Sequence, residues 1–300
     1  TLVVHPNDHP FDSDLVDVDH TMRITCFLNK PHPPGMLYHN LANACLYVVE
    51  PEVLRHVDDG VKQDFIKDTF ARMLTHHALY AYSTPEYLKD MGTPERLSHV
   101  EHDVREGIVA RSTEPRACVF LDRDGVVNNE VGLLYRPEQF SLTQNAATAI
   151  KTINKSGYLA VVITNQPVIA RGLCTFETLG AIHKTMETQL GNVGAKLDAI
   201  YFCPHHPEKG FPGEVVEYKI ACECRKPKPG MLLQAAKDLN IDLARSFMIG
   251  DHVRDIVAAK AAGVTPIGVR CGHGCKDAIG ENAPVHMADD ILDAVQWILR

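Results

Sequence analysis

Hydrophobic and polar positions alternate in long blocks from Ala117 to the end of the chain. Short apolar runs are each followed by a polar, glycine-containing loop and then by a segment with the spacing of an amphipathic helix. This repeated order predicts an α/β fold, in which helices flank a parallel sheet. The predicted strands are 118–121, 159–164, 199–202, 247–249 and 265–269, and the predicted helices lie near 142–155, 175–190, 230–238, 253–262 and 288–299.

The segment before Ala117 has a different pattern. Histidine, proline and acidic residues crowd positions 4–20, and prolines recur at 30–35. We therefore expect two domains, over residues 1–110 and 117–300, joined by a polar linker at 111–116. In the second domain, polar motifs follow the carboxyl ends of predicted strands, which is the edge where open α/β sheets bind ligands.

Composition narrows the functional classes. Charges of both signs are mixed along the chain and the formal net charge is −8, so we expect no binding to nucleic acid or anionic lipid. The longest apolar stretches, such as 158–163, are far shorter than the roughly 20 residues that cross a bilayer, and no charged and then apolar leader opens the chain. These features predict a cytoplasmic protein. Because the sequence opens on Thr1, we expect a processed product or a fragment.

Two carboxylates separated by one residue follow the first predicted strand, in the motif FLDRDGVVN at 120–128. Side chains two residues apart on an extended segment point the same way, and Gly125 permits a sharp turn after them. One carboxylate, Asp122, can then attack phosphorus while Asp124 delivers a proton to the departing oxygen. The competing interpretation is an acidic turn that caps a helix or binds a cation without a catalytic role.

Two further motifs carry groups that suit a phosphorylated ligand. The run VVITNQ at 161–166 ends a predicted strand with the hydroxyl of Thr164 and the amides of Asn165 and Gln166, which are neutral donors. The run CRKPKPGM at 224–231 supplies Arg225 and Lys226 in a loop stiffened by prolines, and Arg225 can bind a phosphate with two hydrogen bonds. The alternatives are a structural Thr-Asn pair and a solvated basic loop.

The remaining motifs offer metal ligands. Asp251 follows an apolar run in FMIGDHVRD at 247–255, and Mg²⁺ takes a few carboxylates together with substrate phosphate and water. Three thiols and at least one imidazole are concentrated in CPHHP at 203–207 and CEC at 222–224. Because the nine cysteines are an odd number and four such ligands favour tetrahedral Zn²⁺, we expect structural zinc here rather than disulfides. Scattered core cysteines are the alternative.

In their order along the chain, the motifs at 120–128, 161–166, 224–231 and 247–255 resemble the four motifs of the haloacid-dehalogenase-like (HAD) phosphatase superfamily. The first of them, FLDRDGVVN, is closer still to the heptose bisphosphate and histidinol phosphate phosphatases of that superfamily. The resemblance implies that Asp122 is the nucleophile and Asp124 the general acid and then base, with further catalytic roles for Thr164 and Lys226. It implies that Mg²⁺ is held by Asp122, Asp251 and the backbone carbonyl of Asp124. The substrate-binding residues it implies are Glu130, Asn165, Gln166, Arg225 and His252.

The resemblance to heptose bisphosphate phosphatases extends to the cysteine-rich segment. It leaves His206 outside the zinc site and assigns the four ligands as Cys203, His205, Cys222 and Cys224. Bound zinc would then fix the loop that carries Arg225 and Lys226. Asp255 matches the last acid of the fourth motif and is expected to support the site without binding the metal, whereas His252 stands where close relatives often carry a lysine.

The first 110 residues resemble the second half of a sugar-1-phosphate nucleotidyltransferase domain. The segments that carry this resemblance are HPNDHPFDSDLVDVD, KPHPPG, YHNLANACLYVVEP, KQDFIKD and TPEYLKDMGTPERL. It implies that Asp90 is a metal-binding acid, while the glycine-rich nucleotide loop of that family is absent from the sequence. We therefore expect that this region alone does not transfer nucleotides, and a structural or dimerising role is equally compatible with it.

Together these patterns predict a Rossmann-like parallel sheet of the HAD type with a zinc-stabilised loop, preceded by a partial α/β nucleotidyltransferase domain. The predicted function is a Mg²⁺-dependent phosphatase that removes the 7-phosphate of a heptose 1,7-bisphosphate. A GDP-linked route for the product would favour the α anomer of this sugar phosphate. Histidinol phosphate phosphatase and a truncated heptose- or mannose-1-phosphate guanylyltransferase are the alternatives. A silent binding module is disfavoured because every catalytic position carries a competent residue. The oligomeric state stays open, and a monomeric phosphatase domain is compatible with the sequence.

Overall fold

A computed structural model describes residues 1–76, 78–111 and 113–300 of the chain. These residues form two compact units, and neither unit is continuous in sequence. The first contains Thr1–Thr84, Tyr135–Phe140 and Cys174–Lys196, and the second contains Pro85–Leu134, Ser141–Leu173 and Leu197–Arg300. Residue 112 of the predicted linker lies outside the described residues, and the predicted division into 1–110 and 117–300 stays a prediction.

The secondary structure of the described residues consists of short strands and of helices of varied length. The strands are β1 (Leu2–His5), β2 (Leu15–Val18), β3 (Ile24–Leu28), β4 (Ala42–Tyr47), β5 (Ala81–Ser83), β6 (Cys118–Leu121), β7 (Leu159–Asn165), β8 (Ala199–Cys203), β9 (Phe247–Gly250), β10 (Thr265–Val269) and β11 (His286–Ala288). The α-helices are α1 (Ala71–Met73), α2 (Pro94–Arg105), α3 (Ile108–Arg111), α4 (Ala146–Ser156), α5 (Phe176–Gly191), α6 (Gly230–Asp238), α7 (Val253–Ala261) and α8 (Ile291–Ile298). Within the described ranges, no helix has the length and apolarity of a bilayer span.

The first unit is built on a mixed five-stranded sheet in the order β3-β2-β4-β1-β5. Strand β1 pairs parallel with β5, and the other pairs are antiparallel. Alternate side chains of these strands enter a core that includes Leu2, Val4, Val16, Ile24 and Phe70. A π-helix at Phe65–Phe70 begins at Asp64, whose side chain accepts hydrogen bonds from two backbone N–H groups of its first turn.

Helix α5 belongs to this first unit, although it follows β7 of the other unit in the sequence. His39 Nδ1 lies 2.7 Å from Glu187 Oε2, and the two side chains are only 16% and 10% exposed. An ion pair joins Lys184 Nζ to Asp17 Oδ2 at 2.7 Å. A largely buried hydrogen bond and an ion pair therefore hold α5 against residues 1–84.

Close packing holds the same helix. The Tyr38 N–H donates to the Thr188 hydroxyl at 3.1 Å. At the end of the helix, Gly191 lies so close to the first 84 residues that a Cβ there would be 2.7 Å from both Pro10 Cγ and the Tyr38 hydroxyl. Only glycine fits at this position without movement of its neighbours.

The second unit contains a six-stranded parallel sheet in the order β11-β10-β9-β6-β7-β8. All five predicted strands are present, each within one residue of its predicted bounds, so the predicted parallel α/β sheet is confirmed. Strand β11 is additional, and the sequence pattern missed it because it has only three residues. The central strand β6 is fully buried, as expected for a strand with helices on both faces.

The five predicted helices are also present, but two begin later than predicted. Helix α4 begins at Ala146 and not near 142, because the Thr143 N–H donates to the Val127 carbonyl at 2.9 Å and so pairs with the loop after β6. Helix α8 begins at Ile291 and not at 288, since Asp290 caps it by accepting from two backbone N–H groups of its first turn.

Candidate active site

Asp122 lies directly after β6 with 4% of its surface exposed. Its backbone N–H donates to the Ile249 carbonyl at 2.9 Å, which extends the pairing with β9 and fixes the direction of the side chain. Gly125, at φ +81°, lets the chain turn back over the carboxylates. A Cβ on Gly125 would lie 2.2 Å from Asp251 Oδ2, so the two acidic loops can approach this closely only because glycine is present.

Asp124 is surrounded by hydrogen-bond donors. Arg123 Nη2 lies 2.9 Å from its Oδ1, Gln166 Nε2 lies 2.8 Å from its Oδ2, and Asn128 Nδ2 lies 3.1 Å from its Oδ1. Burial alone would raise the pKa of Asp124, but the charge of Arg123 and the hydrogen bonds hold it below its usual range. The carboxylate form is therefore the stable one in this structure.

Lys226 is buried at the centre of the site. Its Nζ lies 2.8 Å from Asp122 Oδ1 and 2.7 Å from Asp255 Oδ1, and it donates to the Ile163 carbonyl at 2.8 Å. Burial opposes the charged form, but the charges of Asp122 and Asp255 outweigh it and raise the pKa of the ammonium group. Lys226 is thus a fixed positive charge beside the candidate nucleophile.

A third buried acid, Asp251, lies beside the two that contact this lysine. Oxygens of Asp122, Asp251 and Asp255 all lie within 4.8 Å of one another. Burial and the charge of Asp255 raise the pKa of Asp122 to about 6, and burial and the charge of Asp122 raise the pKa of Asp251 to about 7. Asp251 Oδ2 accepts from the His273 N–H at 2.7 Å, whereas its buried Oδ1 has no hydrogen-bond partner among the described residues. One ammonium cannot balance three buried carboxylates, so the cluster fits a divalent cation.

The motif after β7 faces the same site. Thr164 is buried, and its hydroxyl accepts from Gln166 Nε2 at 2.8 Å. The Asn165 side chain makes two hydrogen bonds with the Lys226 backbone, donating to its carbonyl at 2.9 Å and accepting from its N–H at 3.0 Å. These amides therefore join the loops that carry Asp124 and Lys226.

Two of the other predicted substrate-binding residues, Glu130 and His252, lie around the opening of the site. Glu130 Oε2 is 3.8 Å from His273 Nε2, and the His252 and His273 rings meet edge to face at 5.3 Å. His252 Nδ1 lies 2.8 Å from Asp277 Oδ2. A cavity of about 370 Å³ is lined by His252, Gly272, His273, Lys276 and Asp277. This cavity adjoins Asp251, because the two histidines flank that acid in the fold.

The predicted zinc ligands meet in one cluster. The Cys224 sulfur lies 3.2 Å from those of Cys203 and Cys222, and His205 Nδ1 lies 3.4 Å from it. Four donor atoms at these separations suit a single tetrahedral ion, because metal–sulfur bonds of about 2.3 Å place sulfurs slightly under 4 Å apart. The next residue, Arg225, donates from Nη1 to the His205 carbonyl at 3.2 Å, which ties the basic loop to this cluster.

Comparisons with known proteins agree with this geometry. A model of the HAD-hydrolase-like family matches residues 223–294. The D-glycero-beta-D-manno-heptose-1,7-bisphosphate 7-phosphatase of Vibrio cholerae is 41% identical over 186 residues, which is 62% of this chain and 97% of that protein. The Escherichia coli protein of the same name is 39% identical over 61% of this chain and 94% of its own length. This chain belongs to the HAD-like heptose bisphosphate phosphatase family.

A solved structure supports the assignment of this HAD-like phosphatase. The D,D-heptose 1,7-bisphosphate phosphatase from B. bronchiseptica, complexed with magnesium and phosphate, is similar with a TM-score of 0.55 and 33% identity. The similarity covers 61% of this chain and 98% of that one. The chain is accordingly a phosphoric monoester hydrolase, and the resemblance inferred from the four motifs is confirmed.

Sequence reasoning missed two residues that shape the site of this HAD-like phosphatase. Arg123 is fully buried and directs its guanidinium at Asp124. Its position between two acids was the available signal, since a buried arginine needs a partner. His273 contacts Asp251 through its backbone, and no local pattern marks such a contact.

Asp90 was predicted to be a metal-binding acid of the nucleotidyltransferase-like region. In the structure it is exposed, pairs with Arg96 and accepts from the Gly92 N–H at 2.8 Å. Among the described residues, it belongs to none of the groups of side chains that are close enough to share a metal. The nucleotidyltransferase-like interpretation of residues 1–110 stays a prediction.

Proposed function

We propose that this phosphatase removes the 7-phosphate of D-glycero-D-manno-heptose 1,7-bisphosphate through a covalent phosphate on Asp122. The observation that carries the proposal is the convergence of Asp122, Asp124, Lys226 and Asp251 at one sheet edge. Its support is the match to relatives of that name over almost their whole length.

In the first step, the Asp122 carboxylate attacks phosphorus, so that a bond to the Asp122 oxygen forms while the bond to the sugar oxygen breaks. Asp124 gives a proton to the departing sugar oxygen and later takes one from the water that hydrolyses the aspartyl phosphate. Lys226 balances charge on Asp122 throughout, and the Thr164 hydroxyl can donate to a phosphoryl oxygen.

The acid role of Asp124 requires a proton that the carboxylate does not hold in this structure, where its pKa is lowered. A bound phosphate dianion would raise that pKa, because a like charge disfavours ionisation. Arrival of the substrate therefore prepares Asp124 as an acid, and departure of the sugar returns it to the form that accepts a proton from water.

We infer that Asp122, Asp251 and the backbone carbonyl of Asp124 hold Mg²⁺. The fit rests on the three crowded acids and on the unpartnered Oδ1 of Asp251. When bound, the cation would reduce repulsion between the carboxylates and the substrate phosphate.

We also infer that Cys203, His205, Cys222 and Cys224 hold a structural Zn²⁺, since four donors with no further open position form a closed set. Asp255 supports the site through Lys226. For substrate binding we propose Glu130 and His252 at the opening, Arg225 in the basic loop, and Asn165 and Gln166 as residues that position the loops. Residues 1–110 remain proposed as a nucleotidyltransferase-like region, with 111–116 as linker and the cytoplasm as location.

The test is phosphate release from the α and β anomers of heptose 1,7-bisphosphate, with histidinol phosphate beside them, in the presence of Mg²⁺. We expect a bisphosphate to be preferred, and preference for histidinol phosphate would overturn the proposed substrate. Asp122→Asn should lower turnover by at least about a thousandfold, because the amide is a poor nucleophile. Turnover that persists in this variant, with an unchanged circular dichroism spectrum, would exclude the covalent route.

A further inference from the structure

A second basic cluster includes two residues of the zinc loop, residues 203–224, and has no part in the chemistry described above. It consists of Arg171, His206 and Lys219. The Arg171 guanidinium and the Lys219 ammonium lie 4.5 and 4.6 Å from the centre of the Phe211 ring, and Arg171 Nη2 lies 3.4 Å from His206 Nε2. His206 and Lys219 are 6% and 4% exposed, so these polar groups are held in the interior.

The hydrogen-bonding capacity of this cluster is largely unused. Arg171 Nε, His206 Nδ1 and Lys219 Nζ are buried and bond to no group in the described part of the chain. Lys219 Nζ has one long ion pair, at 3.5 Å from Glu214 Oε2, and the exposed Glu208 is 3.9 Å from His206 Nε2. Buried donors without a well-placed acceptor are costly, and a bound anion would supply acceptors.

Further cations connect this cluster with the nucleophile. Arg225 Nη1 donates to the carbonyl of His205, the neighbour of His206, at 3.2 Å. The residue after Arg225 is Lys226, whose Nζ lies 2.8 Å from Asp122 Oδ1. Positive charges thus continue from Asp122 through Lys226 and Arg225 to the cluster.

We propose that Arg171, His206 and Lys219 form a second anion site, which binds the phosphate of the substrate that is not hydrolysed. A phosphate monoester dianion has enough acceptor oxygens to satisfy all three donors, whereas a single carboxylate has two. This inference rests on the proposed function, because it requires a substrate with two phosphates, one at Asp122 and one among the cations.

A purely structural role is the competing explanation. Val215 N–H donates to the Ala170 carbonyl at 3.0 Å, and a Cβ on Gly172 would lie 1.9 Å from the Gly213 carbonyl oxygen, so the zinc loop already packs tightly on residues 170–172. Arg171 and Lys219 would then serve only to hold Phe211 between them. This explanation leaves Arg171 Nε and His206 Nδ1 without a hydrogen-bond acceptor among the described residues.

The test compares two substrates with the same scissile group, heptose 1,7-bisphosphate and heptose 7-phosphate. Lys219→Met and Arg171→Met remove one charge each while keeping an extended side chain. We expect the ratio of kcat/KM for the bisphosphate to kcat/KM for the monophosphate to fall about 10- to 100-fold in each variant. Lys209→Met is the matched control, because Lys209 is an exposed lysine of the same loop, and the ratio should stay unchanged.

Phe211→Leu separates the two explanations, since it removes the ring and keeps both charges. An unchanged ratio in Phe211→Leu supports the anion site. A ratio that falls as far in Phe211→Leu as in Lys219→Met overturns it, as does a wild-type chain that hydrolyses both substrates equally well.

If the wild-type chain hydrolyses neither substrate, the proposed function fails, and a binding measurement still decides the anion site. Titration calorimetry with inorganic phosphate in Mg²⁺-free buffer would then compare wild type, Lys219→Met and Lys209→Met. Binding that is lost only in Lys219→Met supports the site, and equal binding by all three, or none by any, overturns it.

Discussion

Gly125 offers a test of how closely the acidic loops must approach. Gly132 has nearly the same backbone conformation, at φ +80°, but a Cβ there meets nothing within 4 Å. Gly132→Ala should therefore cost about 1–2 kcal/mol in free energy of unfolding, the penalty of a left-handed conformation alone. Gly125→Ala should cost more and also lower kcat/KM by at least about tenfold, because its methyl group must displace the Asp251 carboxylate.

Urea unfolding and phosphate release measure the two effects. Equal losses of unfolding free energy and of kcat/KM in the two alanine variants would show that a methyl group at position 125 does not disturb Asp251.

Single residues differ in how far the sequence reveals them. Asp122, Asp124, Lys226 and Asp251 were identifiable because each stands at a fixed position after a strand or in a loop motif, and the structure brings all four together. The hydrogen bonds of Asn165 could not be predicted in the same way. Its partner, the Lys226 backbone, is 61 residues away, and a local pattern carries no information about that contact.

Among the elements, the loop between Cys203 and Cys224 should depend on the zinc ion that we propose it binds. Cys222→Ser should lower the free energy of unfolding by at least about 2 kcal/mol and reduce zinc content, because one ligand of a closed set is lost. Cys26→Ser is the matched control, since Cys26 is an exposed cysteine outside the cluster. Metal analysis and thermal unfolding decide the outcome, and an equal response of the two variants would argue against a zinc site.

The strands and helices of the second unit were predictable for a physical reason. A strand buried on both faces appears as an unbroken apolar run, and β6 and β7 are of this type. Helix starts were less predictable, because at Thr143 a pairing with the loop after β6 delays the helix. The strands of the first unit were not predicted, since their exposed residues and the prolines between them obscure any alternation.

At the scale of the whole molecule, the hydrogen bond between His39 and Glu187 links two segments that are 148 residues apart in sequence. We expect His39→Gln and Glu187→Gln each to reduce the free energy of unfolding, and the double variant to lose less than the sum by at least about 1 kcal/mol. The pair is largely buried, so its coupling is only weakly screened by solvent. Additive losses in denaturant unfolding would mean that the pair contributes nothing as a pair.

The sequence divides the chain near 111–116, whereas helix α5 packs with the first 84 residues. The linear pattern shows that a helix is amphipathic but not which distant segment covers its apolar face. This is why the fold of the phosphatase sheet could be predicted and the membership of α5 in the first unit could not.

The lack of space for a side chain at Gly191 predicts which residue related phosphatases carry at this position. A phosphatase without the first 84 residues has neither Pro10 nor Tyr38 near its helix end, so the contacts that exclude a Cβ at this position are absent from it. Glycine at this site should therefore accompany the N-terminal extension from one genome to the next and be lost where the extension is lost. An alignment of family members with and without this N-terminal segment can therefore test whether glycine at this position occurs only in the members that carry the segment.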